Sequence, residues 1–473
     1  MKILLALLIA ATADAPSGTP SGRPAAYATA QNALSRPDPA GLLEDQVRAI
    51  LAQEHVNAAA VVLVSGDRDV FVRGFGRDAS GQPVGDDTLF RLGATSELMV
   101  GLLAERLAHE NDRFDSPLSR LLVKDDPVVN PFETGTPLTL AHLLEHTSGL
   151  EDALPAEDLE LPPGKEPEAL EDLAKLRPRV VRWRPGSRHS LSAIDTTLAA
   201  LALQEFAGKP FFRNLAETVL APLGMFNTTW VLTEDERART VAMRRGRFLS
   251  DAMPRHWAAR GLVSNAHDLA LLLHMLCTRG RTSSAEFLSE KQLERVEHGL
   301  TQPLADKRAT AGFGVSPIAA DGFDGVQIRG RTEGTLSELT WFPEQGRGLA
   351  ILVGDGGATT ARALLSQTLR RALLSTAARP APAQVVEVPS AELASKVGYW
   401  SPVSPGDRLV APALRLFGNI ELSLSADGKA LVLGGLHGPK TRLTPAAGGV
   451  FSADGARPAY AFPQEGEHEL LLT

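Results

Sequence analysis

Cysteine is nearly absent from this chain of 473 residues: Cys277 is the only one, so no intrachain disulfide can form and thiolate-rich zinc or iron–sulfur sites within one chain are excluded. Aromatic side chains are scarce at 5%, and the three tyrosines sit at positions 27, 399 and 460, leaving no phenol across the whole middle of the chain. An excess of positive charge is also missing. The formal net charge is −8, which argues against a nucleic-acid binder, as does the lack of aromatics for base stacking. After residue 13 no apolar run approaches the length of a membrane span.

What is present reads as ordinary globular protein with an export signal. Lys2 precedes the apolar run Ile3 to Ala11, and Ala11-Thr12-Ala13 is the small-residue pattern of a signal-peptidase site. The expected organisation is a signal peptide at 1–13, a Pro/Ala/Ser-rich linker at 14–39, a main domain at 40–377, a second linker at 378–389 and a small β-rich domain at 390–473. The protein is therefore expected to be exported, periplasmic or extracellular, with no membrane span in the mature chain.

Periodicity predicts a helix carrying Leu42, Leu43, Val47, Ile50 and Leu51, then strands over Ala58 to Val64 and Val70 to Gly74. Helices follow at Glu97 to His109, Thr139 to His146, Ala193 to Ala207, Phe211 to Leu223 and His267 to Cys277. Strands return at Val326 to Ile328, Ser337 to Phe342 and Gly348 to Val353 before a helix from Ala361 to Leu374. Strands, then helices, then strands closed by a helix predict an α+β fold whose antiparallel sheet joins its first and last segments. Beyond 390, short strands around Asn419 to Leu424, Ala430 to Leu433, Thr441, Tyr460 and Leu470 predict a small barrel or sandwich.

Four segments occur in an order that resembles the serine β-lactamase-related family, which includes class C β-lactamases, D-alanyl-D-alanine peptidases and esterases. They are Asp87-Thr88-Leu89-Phe90-Arg91-Leu92-Gly93, Leu140 through Leu150 (LAHLLEHTSGL), Trp183-Arg184-Pro185-Gly186-Ser187, and Arg260-Gly261-Leu262-Val263-Ser264 with Asp268-Leu269. The resemblance spans about Leu42 to Leu374 and implies an antiparallel sheet flanked by helices with an all-helical subdomain. It also implies acyl transfer by an activated hydroxyl, a base and oxyanion donors, without a cofactor.

The positions that should carry that chemistry are altered. Ser-x-x-Lys is replaced by Ala94 and Glu97, and the chain contains no Ser-x-x-Lys; shifting the register to Ser96 puts Met99 three residues on. Tyr-x-Asn is replaced by Leu191, Ser192 and Ala193, and Lys-Thr-Gly or His-x-Gly by Ile328, Arg329 and Gly330. A methyl cannot attack a carbonyl. The expectation is a non-catalytic relative with a cleft lined by Ala94, Glu97, Leu191, Ala193 and Ile328, in which Arg329, Gly330 and Arg331 contact a bound molecule and either Glu97 pairs with Arg329 or Arg331 or the two arginines form a surface pair pointing away from the cleft. The ligand would be a small acyl compound or peptide, or the partner a cell-envelope protein. The rival within the family is a serine hydrolase using other residues.

Two further patterns compete. His142-Leu143-Leu144-Glu145-His146 fits the His-x-x-Glu-His spacing of zinc peptidases, although Thr147-Ser148-Gly149 ends the helix at once and no third ligand is identifiable. Ser148 and His146 with some carboxylate would compose a serine triad, against which a capped turn at Ser148-Gly149 is the simpler reading. Nine acidic residues between Glu151 and Asp172, followed by Arg177, Arg179, Arg182, Arg184 and Arg188, predict a solvated loop with a basic margin, or else a lid over the cleft.

Overall fold

The computed structural model describes residues 39–473 except 109–112, 123–126, 155, 158, 162–164, 245–246, 249–252, 302–309, 379–384, 401–419, 436–439, 447–449, 454–457, 462–470 and 473. The expected signal peptide and most of the first linker lie outside the described residues, as does the middle of the second linker. The chain divides into two units at Glu44. The first contributes only the opening turn of helix α1 (Pro39–Gln53); everything below belongs to the second.

The main sheet has six strands, β1 (Ala58–Ser65), β2 (Arg68–Gly76), β3 (Ser316–Ala320), β4 (Phe323–Arg331), β5 (Leu336–Phe342) and β6 (Arg347–Val353). Their order is β3-β4-β5-β6-β1-β2 and every neighbour is antiparallel, so the first strand of the fold does pair with the last, Ala59 opposite Val353 and Val64 opposite Gly348. Ala58 to Val64 is buried without interruption because the strand has partners on both edges and cover on both faces. The edge strand β2 alternates instead, with Phe71 and Phe75 buried.

Between β2 and β3 the chain builds the helical part: α2 (Ser96–Ala108), α3 (Leu140–Leu144), α4 (Ala193–Ala207) and α5 (Ala266–Cys277) among others. The α4 helix starts where Ser192 Oγ accepts from the Ile194 amide, at 3.2 Å, and ends on Gly208 in the left-handed region at φ +62°. It is buried from Ala193 through Leu203 and packs against α2 and α3, so its apolar residues show no single face. The helix expected over Phe211 to Leu223 forms with a π-type segment at Ala216–Leu220. Its Phe211 and Phe212 join Trp230 and Trp257 in an aromatic cluster, with Phe212 stacked on Trp257 at 4.3 Å between ring centres. Helix α5 covers β1 and β6, and α6 (Thr359–Leu374) lies on β6 as well.

A seven-stranded sheet closes the chain: β7 (Gly398–Trp400), β8 (Ile420–Leu424), β9 (Leu431–Gly435), β10 (Thr441–Ala446), β11 (Val450–Ala453), β12 (Pro458–Ala461) and β13 (Leu471–Leu472). Among the described residues it is a sequential antiparallel meander, each strand paired with the next in the chain. Leu393, Leu422, Leu431, Leu443 and Phe451 form its own small core.

Candidate functional site

The three altered motifs converge around the N-terminus of α2. A tight turn, Gly93–Thr95, carries Ala94 directly into the helix, and β4 lies against that turn. The approach is close: a Cβ on Gly330 would stand 1.7 Å from the Leu92 carbonyl oxygen, and one on Gly93, whose φ is +58°, would stand 2.4 Å from the Arg331 amide nitrogen. Only glycine fits at either position. Ala94 is partly exposed, Ala193 and Ile328 are buried, and Leu191 is 58% exposed beside them.

The hydroxyls nearest the nucleophile position are committed. Ser96 is fully buried; its Oγ donates to the Gly93 carbonyl at 2.6 Å and accepts from the Leu262 amide at 3.1 Å. Ser337 Oγ donates to the Leu92 carbonyl at 2.6 Å and lies 2.7 Å from Thr95 Oγ1. These bonds hold the turn to β5 and to the residues before α5. Thr95, Ser96 and Ser337 are each fully buried, with their hydroxyls in these bonds.

Glu97 has a partner that the sequence reading missed. Its Oε2 lies 3.1 Å from His146 Nε2, and His146 Nδ1 lies 3.3 Å from Asp195 Oδ2. Ser148 Oγ completes the group by donating to Asp195 Oδ1 at 2.6 Å, and Ser148 also accepts from the Leu150 amide at 3.0 Å. His146 and Asp195 are buried, and the Glu97 side chain retains 9% exposure. Burial alone would lower the pKa of His146, but the flanking carboxylates more than offset it and hold the imidazole up, to about 10. A carboxylate at each ring nitrogen favours the imidazolium form, and the Ser192 amide lies 3.4 Å from Nδ1. Asp195 is pushed up by burial, to about 6, despite its bonds to His146 and Ser148.

This arrangement corrects the expected pairing of Glu97 with Arg329 or Arg331. Arg329 Nε binds Glu338 Oε2 at 3.0 Å, and Glu338 Oε1 accepts from Ser366 Oγ on α6 and Gln327 Nε2. Alternation along β4 sends Arg329 and Arg331 to the face that α6 covers, while Ile328 joins the core on the opposite face with Leu92 and Leu98. Arg362 on α6 lies in the field of both arginines, which help lower its pKa beneath the larger effect of burial. The two side chains expected to contact a ligand in the cleft therefore turn away from it. Gly330 keeps its place against the nucleophile turn.

The His142-Glu145-His146 set is dispersed. The α3 helix stops at Leu144, and His146 has φ +54°, so the one-turn spacing that would put both histidines on one helix face is lost. His142 Nδ1 instead meets Thr139 Oγ1 at 2.8 Å in a capping box. Glu145 accepts from the Leu300 amide at 2.6 Å and the Thr301 amide at 2.9 Å, and burial pushes its pKa up to about 7. The triad reading fares differently: Ser148 and His146 do converge, but on the two oxygens of Asp195 and not on each other.

The acidic loop is not simply solvated. Glu157 binds Arg177 at 3.1 Å and the fully buried Arg179 at 3.2 Å; Glu151 binds Arg182 at 3.0 Å and Arg177 at 3.5 Å; Asp152 lies 3.6 Å from Arg260 and accepts from the Ala193 amide at 2.7 Å. Glu151 and Glu157 are thus bound by the basic margin and Asp152 by Arg260, so this part of the expected solvated loop is held by ion pairs.

Comparison with known proteins places this scaffold. The chain is 30% identical over 190 residues to the D-alanyl-D-alanine-carboxypeptidase/endopeptidase AmpH of Escherichia coli K12, covering 40% of this chain and 49% of that one. It is 28% identical over 200 residues to esterase EstB of Burkholderia gladioli, covering 38% and 48%. The chain thus spans about half the length of the curated relatives it matches. Among solved structures, SurE with D-Leu aligns at a TM-score of 0.58 and 18% identity over 92% of this chain and 96% of that one. A β-lactamase/D-alanine carboxypeptidase from Yersinia pestis complexed with citrate aligns at 0.55 and 22% over 70% and 98%. Those likenesses show the fold alone. The family model described as β-lactamase matches residues 43–404, most of the chain, and with the same ordered motifs standing around one helix terminus the chain belongs to the β-lactamase family.

Proposed function

We propose that this β-lactamase-family protein is exported and binds an acyl or peptide ligand, or a cell-envelope partner, without cleaving it. The observation that carries the reading is the group at the bottom of the old catalytic site: a methyl at Ala94 stands where an acylated oxygen is required, and Glu97 stands where a free base is required. His146, the one imidazole in contact with Glu97, has both nitrogens taken by carboxylates and can accept no proton. Dismantling nucleophile and base together leaves on the order of a thousandfold residue of rate over water, from binding and oxyanion effects.

A panel of nitrocefin, D-Ala-D-Ala peptide and short-chain ester substrates tests this on purified protein. The expected outcome is no turnover above that background. Robust hydrolysis of any of the three would replace the binding reading with that of a hydrolase using other groups. Export is tested separately by the N-terminus of the protein recovered from the producing cell, expected at Asp14 after removal of residues 1–13.

A further inference from the structure

If the cleft binds without cutting, its floor specifies what it binds. Glu97 Oε2 is taken by His146, but Oε1 accepts no hydrogen bond from any described group, and it is not among the sealed unpartnered atoms of the protein. The Glu97 side chain keeps 9% exposure, and a carboxylate oxygen there without a protein donor is an acceptor open to one from a ligand. One imidazolium against two carboxylates leaves this floor one negative charge in excess.

His189 supplies a second open acceptor. Its ring stands edge-on to His146 with 6.1 Å between centres, is partly exposed, and has no hydrogen-bond partner among the described residues. Burial and the adjacent imidazolium lower its pKa to about 4, so at neutral pH it is uncharged and one of its nitrogens accepts. Two apolar residues are neighbours of these groups in the chain: Ala94, partly exposed and three residues before Glu97, and Leu191, 58% exposed and directly before Ser192, whose amide lies 3.4 Å from His146.

We propose, resting on the non-cleaving reading above, that the site is a receptor for a primary ammonium group on an apolar body, with Glu97 Oε1 as the charged acceptor, His189 as the second acceptor, and Ala94 and Leu191 against the hydrocarbon. An ammonium has three donors and no acceptor, which complements a floor that holds more carboxylates than cations and exposes acceptors. A carboxylate ligand would meet like charge at Glu97, and a quaternary ammonium would carry the charge without the donors.

The probe is n-hexylammonium, titrated into the full-length protein by calorimetry at pH 7 and low salt beside hexyltrimethylammonium, 1-hexanol and hexanoate. The primary ammonium is expected to bind saturably, the other three at least about tenfold more weakly, and Glu97→Gln is expected to lose about 10- to 100-fold in affinity, the scale of one charged hydrogen bond. His189→Gln should lose less. Absence of saturable binding, equal binding of the quaternary ion or alcohol, or a folded Glu97→Gln protein that binds as well as the parent would overturn the proposal. Should Glu97→Gln fail to fold by circular dichroism, the carboxyl carbon resonance of Glu97 in the parent decides: movement that saturates with the calorimetric curve supports the site, and an unmoved signal rejects it. The outcomes separate from those for catalysis. A blank hydrolysis panel without amine binding removes this inference alone, whereas turnover removes the non-cleaving reading whatever the amine does.

Discussion

Two ionic clusters lie within one stretch of this molecule, and they are built on opposite plans. Along the acidic loop, Glu151, Asp152 and Glu157 face Arg177, Arg179, Arg182 and Arg260, so each carboxylate has a guanidinium and two of the three have two. Around His146 the ratio is reversed, two carboxylates sharing one imidazole. In the first cluster Glu151 and Glu157 share Arg177, so each keeps one guanidinium when its other partner is removed. The second is poor in cations and sealed from water on most sides, so its single cation sets both its stability and its chemistry.

The largest expected effect follows from that single cation. His146→Ala would leave Glu97 and Asp195 buried face to face, and breaking a buried pair in this way costs about 3–5 kcal/mol. Denaturant unfolding should show that loss, and a cost below about 1 kcal/mol would show that the floor is better hydrated than its burial indicates. Arg179→Ala, which removes a buried guanidinium but leaves Arg177 on Glu157, should cost less than His146→Ala in the same measurement.

The second effect is in pH. The folded pKa of His146, about 10, lies above its reference value of 6.5, so the stability this group contributes is fully present below pH 6.5 and is lost as pH rises toward 10. Asp195, raised from 3.8 to about 6, also makes the folded state hold more protons than the unfolded one between those values. Stability should therefore fall with rising pH in both windows. Nitrogen resonances of the His146 ring should remain those of an imidazolium at pH 8, and Glu97→Gln should bring the titration down toward neutrality; a neutral ring at pH 7 would break the contrast between the clusters. The smallest effect belongs to the loop: Arg182, with its side chain 36% exposed, should cost at most about 1 kcal/mol when replaced by Ala.

Much of the fold was legible because periodicity and caps agree. The α4 helix falls on the residues expected, its start marked by Ser192 and its end by Gly208. Strand β4 runs longer than expected, Phe323–Arg331 against Val326 to Ile328, because Asp324, Gly325 and Gly330 interrupt the apolar pattern while ladder bonds to β3 and β5 carry the strand through. The expectation at Ala94, Glu97, Leu191, Ala193 and Ile328 rests on the order of motifs alone. Where those side chains go was harder. A period of two on β4 already separates Ile328 from Arg329 and Arg331, a signal that would have removed both arginines from the cleft. The partnership of Glu97 with His146 carried no such signal. It depends on a left-handed residue after a five-residue helix, 49 positions away in sequence, and on an aspartate from a third helix.

The central claim is that no group in this cleft becomes acylated. Intact-mass measurement of the protein after incubation with benzylpenicillin and, separately, with a fluorophosphonate tests it most directly. The account predicts an unchanged mass in both cases; a stoichiometric adduct mapping to Thr95, Ser96, Ser148 or any other hydroxyl beside Glu97 would contradict it.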